Sequence, residues 1–348
     1  MVYKVNPLRP ECEIIRAAAK VIREGGIVAF PTETVYGLGV NALDPEAVKK
    51  VYEVKRRPAD NPTIVHIADK MEAQRLAAEI PEIGYELMER FWPGPLTLVL
   101  KKSEIVPSIT VAGLDTVAVR IPKHRVALML IKEAGVPVAA PSANLAGKPS
   151  PTLAEHVIRD LDGKIDMVLD GGPTEIGVES TVLDLTTPQP LVLRPGGVTL
   201  EELRRVLREV QLHPVAVTME KLNHELARSP GMKHKHYAPN AEMILVEGER
   251  RERVKERIRE LVEEYVGKGL KVGVLVAGRW ESSVGHEVRI LGPEKDLKTI
   301  AKNLFKALRE LDEKKVDIIV AGDVNFEGLG LAVMNRLRKA SGYRILKA

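Results

Sequence analysis

Residues 27–67 read IVAFPTETVYGLGVNALDPEAVKKVYEVKRRPADNPTIVHI, and the order of the parts decides the fold. The apolar run 27–30 has the length and branching of a short strand. It breaks into a loop of Pro, Thr and Gly, then resumes as a helix with Asp44 as N-cap and Pro45 at the first helical position. That helix carries Lys55, Arg56 and Arg57 at its end, where Pro58 helps to stop it. A second apolar strand, 63–67, brings one histidine, His66. Strand, helix and strand in this order build an α/β fold and place hydroxyls, guanidinium groups and an imidazole at element ends, where side chains converge on ligands. The same residues also fit a surface turn followed by a solvated basic helix end.

Outward from this stretch the alternation continues. Residues 11–23 have helical spacing and stop at Gly25 and Gly26, feeding the strand at 27. One helical stretch is expected over 71–90, broken by FWPGP before a strand at 96–100. Strands at 116–121, 136–140, 166–169, 181–185 and 191–193 interleave with helices at 125–133, 152–161 and 200–209, which predicts a mixed, twisted sheet over residues 1–210. Residues 211–240 lose all periodicity, and a run of this length reads as a lid or a tether. Residues 241–348 resume as a smaller α/β unit of the doubly wound, Rossmann-like parallel kind. Its GLG at 328–330 has Val333 where a dinucleotide fingerprint needs its third glycine, so a docking or regulatory domain is favoured over a cofactor site.

At 348 residues the chain suggests one large or two ordinary domains. Apolar content of 45% with 29% charge is the balance of a soluble globular protein, and no run is long enough to span a membrane. MVYKVNPLRPE lacks the apolar core of a signal peptide, so a cytosolic protein is expected. Cys12, the single cysteine, excludes an intramolecular disulfide and a Cys-rich zinc site. His234 and His236 make half a metal site without a third ligand at recognisable spacing, so no metal site is assigned. A net charge of +4 permits an anionic ligand without demanding nucleic acid.

Three further segments carry polar groups at strand ends. PSANLAGKPS, 141–150, tempts a phosphate-loop reading, but Ser142 stands where a Walker loop needs Gly and Pro149 where it needs Ser or Thr. What remains is a turn bearing Ser142, Asn144, Lys148 and Ser150, all able to bond phosphate or ribose oxygens. GGPTEIGVESTVLDL sets Ser180 and Thr181 behind a Gly-rich loop, and LVLRPG ends a strand with Arg194. Arg120 inside TVAVRI is the sharpest single signal, since a guanidinium in such a strand is seldom without a carboxylate or phosphate partner. A protein acid and a ligand fit that partner equally well.

In combination PTETVYGLG, the KxRP of 55–58, NPTIVHI, FWPGPLTLVL, VAVRIP, APSANLAGKPSPT, GVESTVLDL and LRPG resemble the threonylcarbamoyl-adenylate synthases, the YrdC-like domain, over about residues 10–210. SPGMKHKHYAPN and the second α/β unit resemble the longer, two-domain form of that family. The resemblance implies formation of threonylcarbamoyl-AMP and pyrophosphate from ATP, L-threonine and bicarbonate. A separate transferase would then carry the threonylcarbamoyl group to the adenosine beside the anticodon of certain tRNAs. Position by position it implies that Thr34, His66, Arg120, Ala140 and Ser180 contact L-threonine, with Arg120 on the carboxylate. Lys55, Arg57, Asn61, Thr116, Ser142, Asn144, Ser150 and Arg194 would hold the nucleotide, with Lys55 and Arg57 as the catalytic cations on opposite sides of the α-phosphate. Tyr237 would reach back from the linker as part of a lid, and Mg²⁺ would accompany ATP without a dedicated protein cage.

Three competitors are weaker. A carbamoyl-adenylate-forming enzyme of hydrogenase maturation resembles larger chains with Cys-rich zinc segments, against which the single Cys12 speaks. A non-catalytic RNA-binding module is disfavoured by 4% aromatic content and the lack of a stacking motif, leaving RNA contact at weak phosphate attraction. A simple ATPase lacks its Walker loop.

Overall fold

The computed structural model describes residues 1–216, 236–280 and 286–348, with the side chain of His286 excepted. It divides into a first unit, Met1–Ala146 with Ser150–Lys233, and a second, Gly147–Pro149 with His234–Ala348. The reading of 211–240 as lid or tether falls largely outside the described residues, as does His234.

The first unit is built on a mixed sheet whose strands run, side by side, Val2–Lys4, Met167–Asp170, Val28–Phe30, Gly37–Asn41, Val138–Ala139, Ile64–His66, Thr116–Arg120, Leu96–Lys102, Thr181–Asp184, Leu191–Arg194 and Gln211–Leu212. Alternation along Val28–Phe30 explains why both faces are covered. Val28 and Phe30 join the apolar cluster under the helices Cys12–Arg23 and Arg125–Ala134. Ala29 points to the other face, with Leu38 and Val40.

The strand Gly37–Asn41 pairs antiparallel with Val28–Phe30, where the sequence reads as loop. Glycine is depleted in strands, so GLGVN gives no strand signal. Its glycines answer a packing demand, because a Cβ on Gly39 would lie 2.6 Å from the Phe30 ring. The single helix expected over 71–90 is two, Lys70–Leu76 and Glu82–Phe91, with Ala77–Glu79 between them paired to Leu96–Lys102. Pro81, as N-cap of the second, cannot continue a helix already under way. The helix expected over 200–209 ends at Arg204, although its capping box from Thr199 and Glu202 is well formed.

The second unit is an all-parallel five-stranded sheet in the order His286–Ile290, Val272–Val276, Ile318–Gly322, Glu242–Glu247 and Ile345–Lys347. Helices Arg251–Gly267, Leu297–Glu313 and Leu329–Ala340 connect its strands, the doubly wound arrangement expected from the sequence. Glu247, at the end of the first of these strands, is bound by Arg338 from the last helix at 2.6 Å and by Lys347 from the last strand at 2.9 Å. Among the described residues no helix is long and apolar enough to cross a membrane.

Candidate functional site

The helix Pro45–Lys55 starts as expected: the Asp44 side chain accepts from the backbone N–H of Glu46 and Ala47, and Pro45 holds the first position. It ends at Arg56, held in the left-handed region at φ 52°, and the turn bends Arg57 toward the chain that follows. Arg57 donates to the carbonyls of Asn61 and Pro62, and Tyr52 OH also donates to the Asn61 carbonyl. Lys55 is only 1% exposed, and its ammonium donates to the carbonyls of Ser142 and Asn144. A helix end that reads as solvated is a buried cation instead, clasping the turn that carries Ser142 and Asn144.

Backbone pairing brings PTETVYGLG and PSANLAGKPS together. Tyr36 N–H donates to Pro151 O, Leu38 N–H to Pro141 O and Ala143 N–H to Tyr36 O, each at 2.8 Å. Tyr36 itself is core: its hydroxyl donates to Gly172 O at 2.7 Å, and burial raises its pKa. Thr32 shapes the preceding loop, with Oγ1 donating to Val35 O and accepting from Thr34 N–H.

The parallel strands Ile64–His66 and Thr116–Arg120 bring His66 directly beside Arg120. Arg120 Nε donates to Gly94 O and Nη1 to Thr34 Oγ1, both at 3.1 Å, while Nη2 lies 2.6 Å from Glu33 Oε1. Both side chains of this ion pair are buried, at 4% and 2% exposed. Arg120 thus has a protein acid for a partner, Glu33, and keeps a face toward Thr34 and His66.

His66 stands edge-on to Phe30 and its Nδ1 lies 3.2 Å from Ile64 O. Burial, and secondarily the Arg120 charge, push its pKa down to about 3, so the ring is neutral. The unfolded ring takes up a proton near pH 6.5. Stability from this site is therefore complete above pH 6.5 and is lost as pH falls toward 3. His124, whose pKa burial also lowers against the pull of Glu33 and Glu175, acts in the same direction. His66→Gln is expected to flatten the pH dependence of the urea midpoint between pH 6.5 and 4; an unchanged slope would assign the acid sensitivity to other groups.

Ser180 Oγ bonds Thr97 Oγ1 at 2.8 Å, and Arg194 Nη2 donates to the Ser180 carbonyl at 3.0 Å. The glycines after Arg194 make this possible, since a Cβ on Gly196 would lie 2.3 Å from the Glu179 carbonyl. Ser150 donates to Glu179 at 2.5 Å. Asn61 is buried, and its Oδ1 has no hydrogen-bond partner among the described residues. Ala140 backs onto Ile64 through its N–H, beside Gly37. Thr116 opens the strand that Arg120 closes, so the two stand at opposite ends of it. Tyr237 belongs to the second unit, its ring stacked on Phe305 with centroids 5.3 Å apart and Arg336 5.5 Å from its centroid.

Nothing local in the sequence marks Glu33, Glu179, Thr32 or Thr97 as part of the site. Glu33 and Glu179 lie inside the quoted motifs; an acid is one of the two partners that the strand position of Arg120 allows, but nothing local singles out Glu33. Among the described residues no three His, Cys, Asp or Glu side chains converge as metal ligands. The first unit is an α/β fold in which buried cations and hydroxyls gather at element ends, and it is joined to a Rossmann-like unit.

The chain belongs to the threonylcarbamoyl-AMP synthase family. It matches the Sua5/YciO/YrdC family, described as telomere recombination, over residues 20–196, and the threonylcarbamoyl-AMP synthase C-terminal domain over 198–342. It is 57% identical to the threonylcarbamoyl-AMP synthase of Pyrococcus abyssi, over 96% of this chain and 95% of that one. To the Bacillus subtilis threonylcarbamoyl-AMP synthase it is 50% identical, over 96% and 94%. Among solved structures, P. abyssi Sua5 complexed with L-threonine matches at TM-score 0.95 and 55% identity, covering 100% of this chain and 99% of that one. E. coli YciO matches at TM-score 0.53 and 26% identity, covering 56% and 95%.

Proposed function

We propose that this chain joins L-threonine, bicarbonate and ATP into threonylcarbamoyl-AMP, releasing pyrophosphate and water. The observation that carries the reading is the full-length likeness to a Sua5 complexed with L-threonine, together with a buried Arg120 beside Thr34 and His66 in this chain. The carbamate formed from threonine and bicarbonate attacks the α-phosphate, and anions meet anions. The protein must supply cations and oriented donors more than a nucleophile.

Thr34, the neutral His66, Arg120, Ala140 and Ser180 take threonine, with Arg120 on its carboxylate. Lys55 and Arg57 bring charge to the phosphates, Lys55 from beneath the turn that presents Ser142 and Asn144. Asn61, Thr116, Ser150 and Arg194 complete the nucleotide subsite; Asn61 Oδ1, without a partner among the described residues, supports this, since a buried acceptor without a donor is costly. Mg²⁺ arrives on the phosphates of ATP. Residues 1–210 carry the chemistry, and 241–348 form a separate domain. The protein works in the cytosol, handing its adenylate to a tRNA threonylcarbamoyl transferase and touching RNA only weakly.

Pyrophosphate release from ATP and Mg²⁺, with L-threonine and bicarbonate omitted singly and together, tests the reading. Release that requires both, with an adenylate of the expected mass, is the expected result. Release indifferent to threonine would discard it.

A further inference from the structure

Glu33 sits at the centre of the buried cluster and is not satisfied there. Its side chain is 2% exposed, with Oε1 2.6 Å from Arg120 Nη2. Yet the contact lacks hydrogen-bond geometry: among the described residues no donor bonds either Glu33 oxygen, and Arg120 Nη2 bonds no acceptor. A carboxylate held away from water without a single donor is a costly arrangement, and an ion pair alone offsets only part of the cost. The missing group is a donor, preferably cationic.

An α-amino acid supplies one in the right place. Its ammonium and carboxylate hang from the same carbon, a separation similar to that between the Glu33 and Arg120 heads. Placed head to tail along the pair, carboxylate on Arg120 and ammonium on Glu33, such a zwitterion would give each protein charge a hydrogen-bonded opposite. Thr34, bonded to Arg120, borders the same spot.

We propose that Glu33 binds the α-ammonium of L-threonine and takes up its proton, an inference that rests on the function proposed above. An ammonium has no lone pair and cannot attack carbon. When one N–H bond breaks, its proton passes to the Glu33 carboxylate and the electron pair stays on nitrogen. The amine then attacks the carbon of bicarbonate; the C–N bond forms, and a second amine proton leaves with the bicarbonate hydroxyl as water. Glu33, now neutral, lies against the carbamate anion without like-charge repulsion. Product release frees it to return the proton to solvent.

The test compares L-threonine with 2,3-dihydroxybutanoate, which keeps the carboxylate and side-chain hydroxyl but carries OH in place of the amine. Binding of each to the full chain is measured by calorimetry for the parent, Glu33→Gln and Glu33→Asp. Glu33→Gln is expected to weaken threonine about 30-fold or more and to leave the amine-free analogue within about threefold, since only threonine loses a charged partner. Glu33→Asp, which keeps the charge, is expected to recover part of the threonine affinity while pyrophosphate release stays slow. Equal weakening of both ligands would make Glu33 a brace for Arg120 and overturn the proposal, as would threonine affinity unchanged in Glu33→Gln. A parent chain that binds no threonine would instead overturn the synthase reading, an outcome distinct from both.

Discussion

Arg120→Ala is expected to cost the first unit about 3–5 kcal/mol of stability and to weaken threonine at least 100-fold while moving ATP affinity only a few-fold. Two losses add up in this one substitution. The first is internal: Glu33, 2% exposed and touching Arg120 at 2.6 Å, is left as a buried charge without a counterion. The Gly94 carbonyl and the Thr34 hydroxyl lose their donor at the same time. The second loss is the carboxylate partner of the substrate. Urea unfolding separates them, because replacing both Arg120 and Glu33 by Met removes the unpaired charge and is expected to restore most of the stability without restoring threonine binding. A single-variant cost below about 1 kcal/mol would mean that the pair behaves like a surface salt bridge. Equal losses for threonine and ATP would reduce Arg120 to a structural role.

Lys55→Met is expected to lower the rate of the chemical step by about 10²–10³-fold, with threonine affinity nearly unchanged. The charge to be neutralised grows as pyrophosphate departs, so a cation near the phosphates matters more in the transition state than in the ground state. Lys55→Arg is not expected to rescue. The site is 1% exposed and shaped for a compact ammonium between the Ser142 and Asn144 carbonyls, and a planar guanidinium does not fit that clasp. Single-turnover release of pyrophosphate measures the step directly. A drop of tenfold or less would show that Lys55 only holds the turn in place.

What the sequence reveals here depends on whether a residue's partners are local. Asp44 and Pro45 announce a helix start because both act on the backbone within three residues, and the structure has them there. The second unit is legible for the same reason, its buried parallel strands being unbroken apolar runs. Gly37–Asn41 is a strand only because Phe30 needs the space that its glycines leave, a demand set by a neighbouring strand. Lys55 illustrates the limit at the site. Helical spacing does not say which way the last residue of a helix faces, and the carbonyls that hold this one come from residues almost ninety positions later. Arg120 shows how far a single residue can lead: its charge in an apolar strand demanded an anion, but whether that anion is Glu33 or a ligand is decided in three dimensions.

The strand order has a further consequence, for how the protein comes into being. Val2–Lys4 finds its neighbour only in Met167–Asp170, and Gly37–Asn41 waits for Val138–Ala139. At a synthesis rate of about 5–20 residues per second, the first strand stays unpaired on the ribosome for on the order of 10–30 s. Hairpin-like pairs such as Leu96–Lys102 with Thr116–Arg120 can form between sequence neighbours, but the pairings that join these groups into one sheet are non-local, so its completion is a late event that slows folding. During that interval the apolar strand Val28–Phe30 has Gly37–Asn41 to pair with but not Met167–Asp170 on its other edge, and that half-finished edge is where the nascent chain is most exposed to wrong partners.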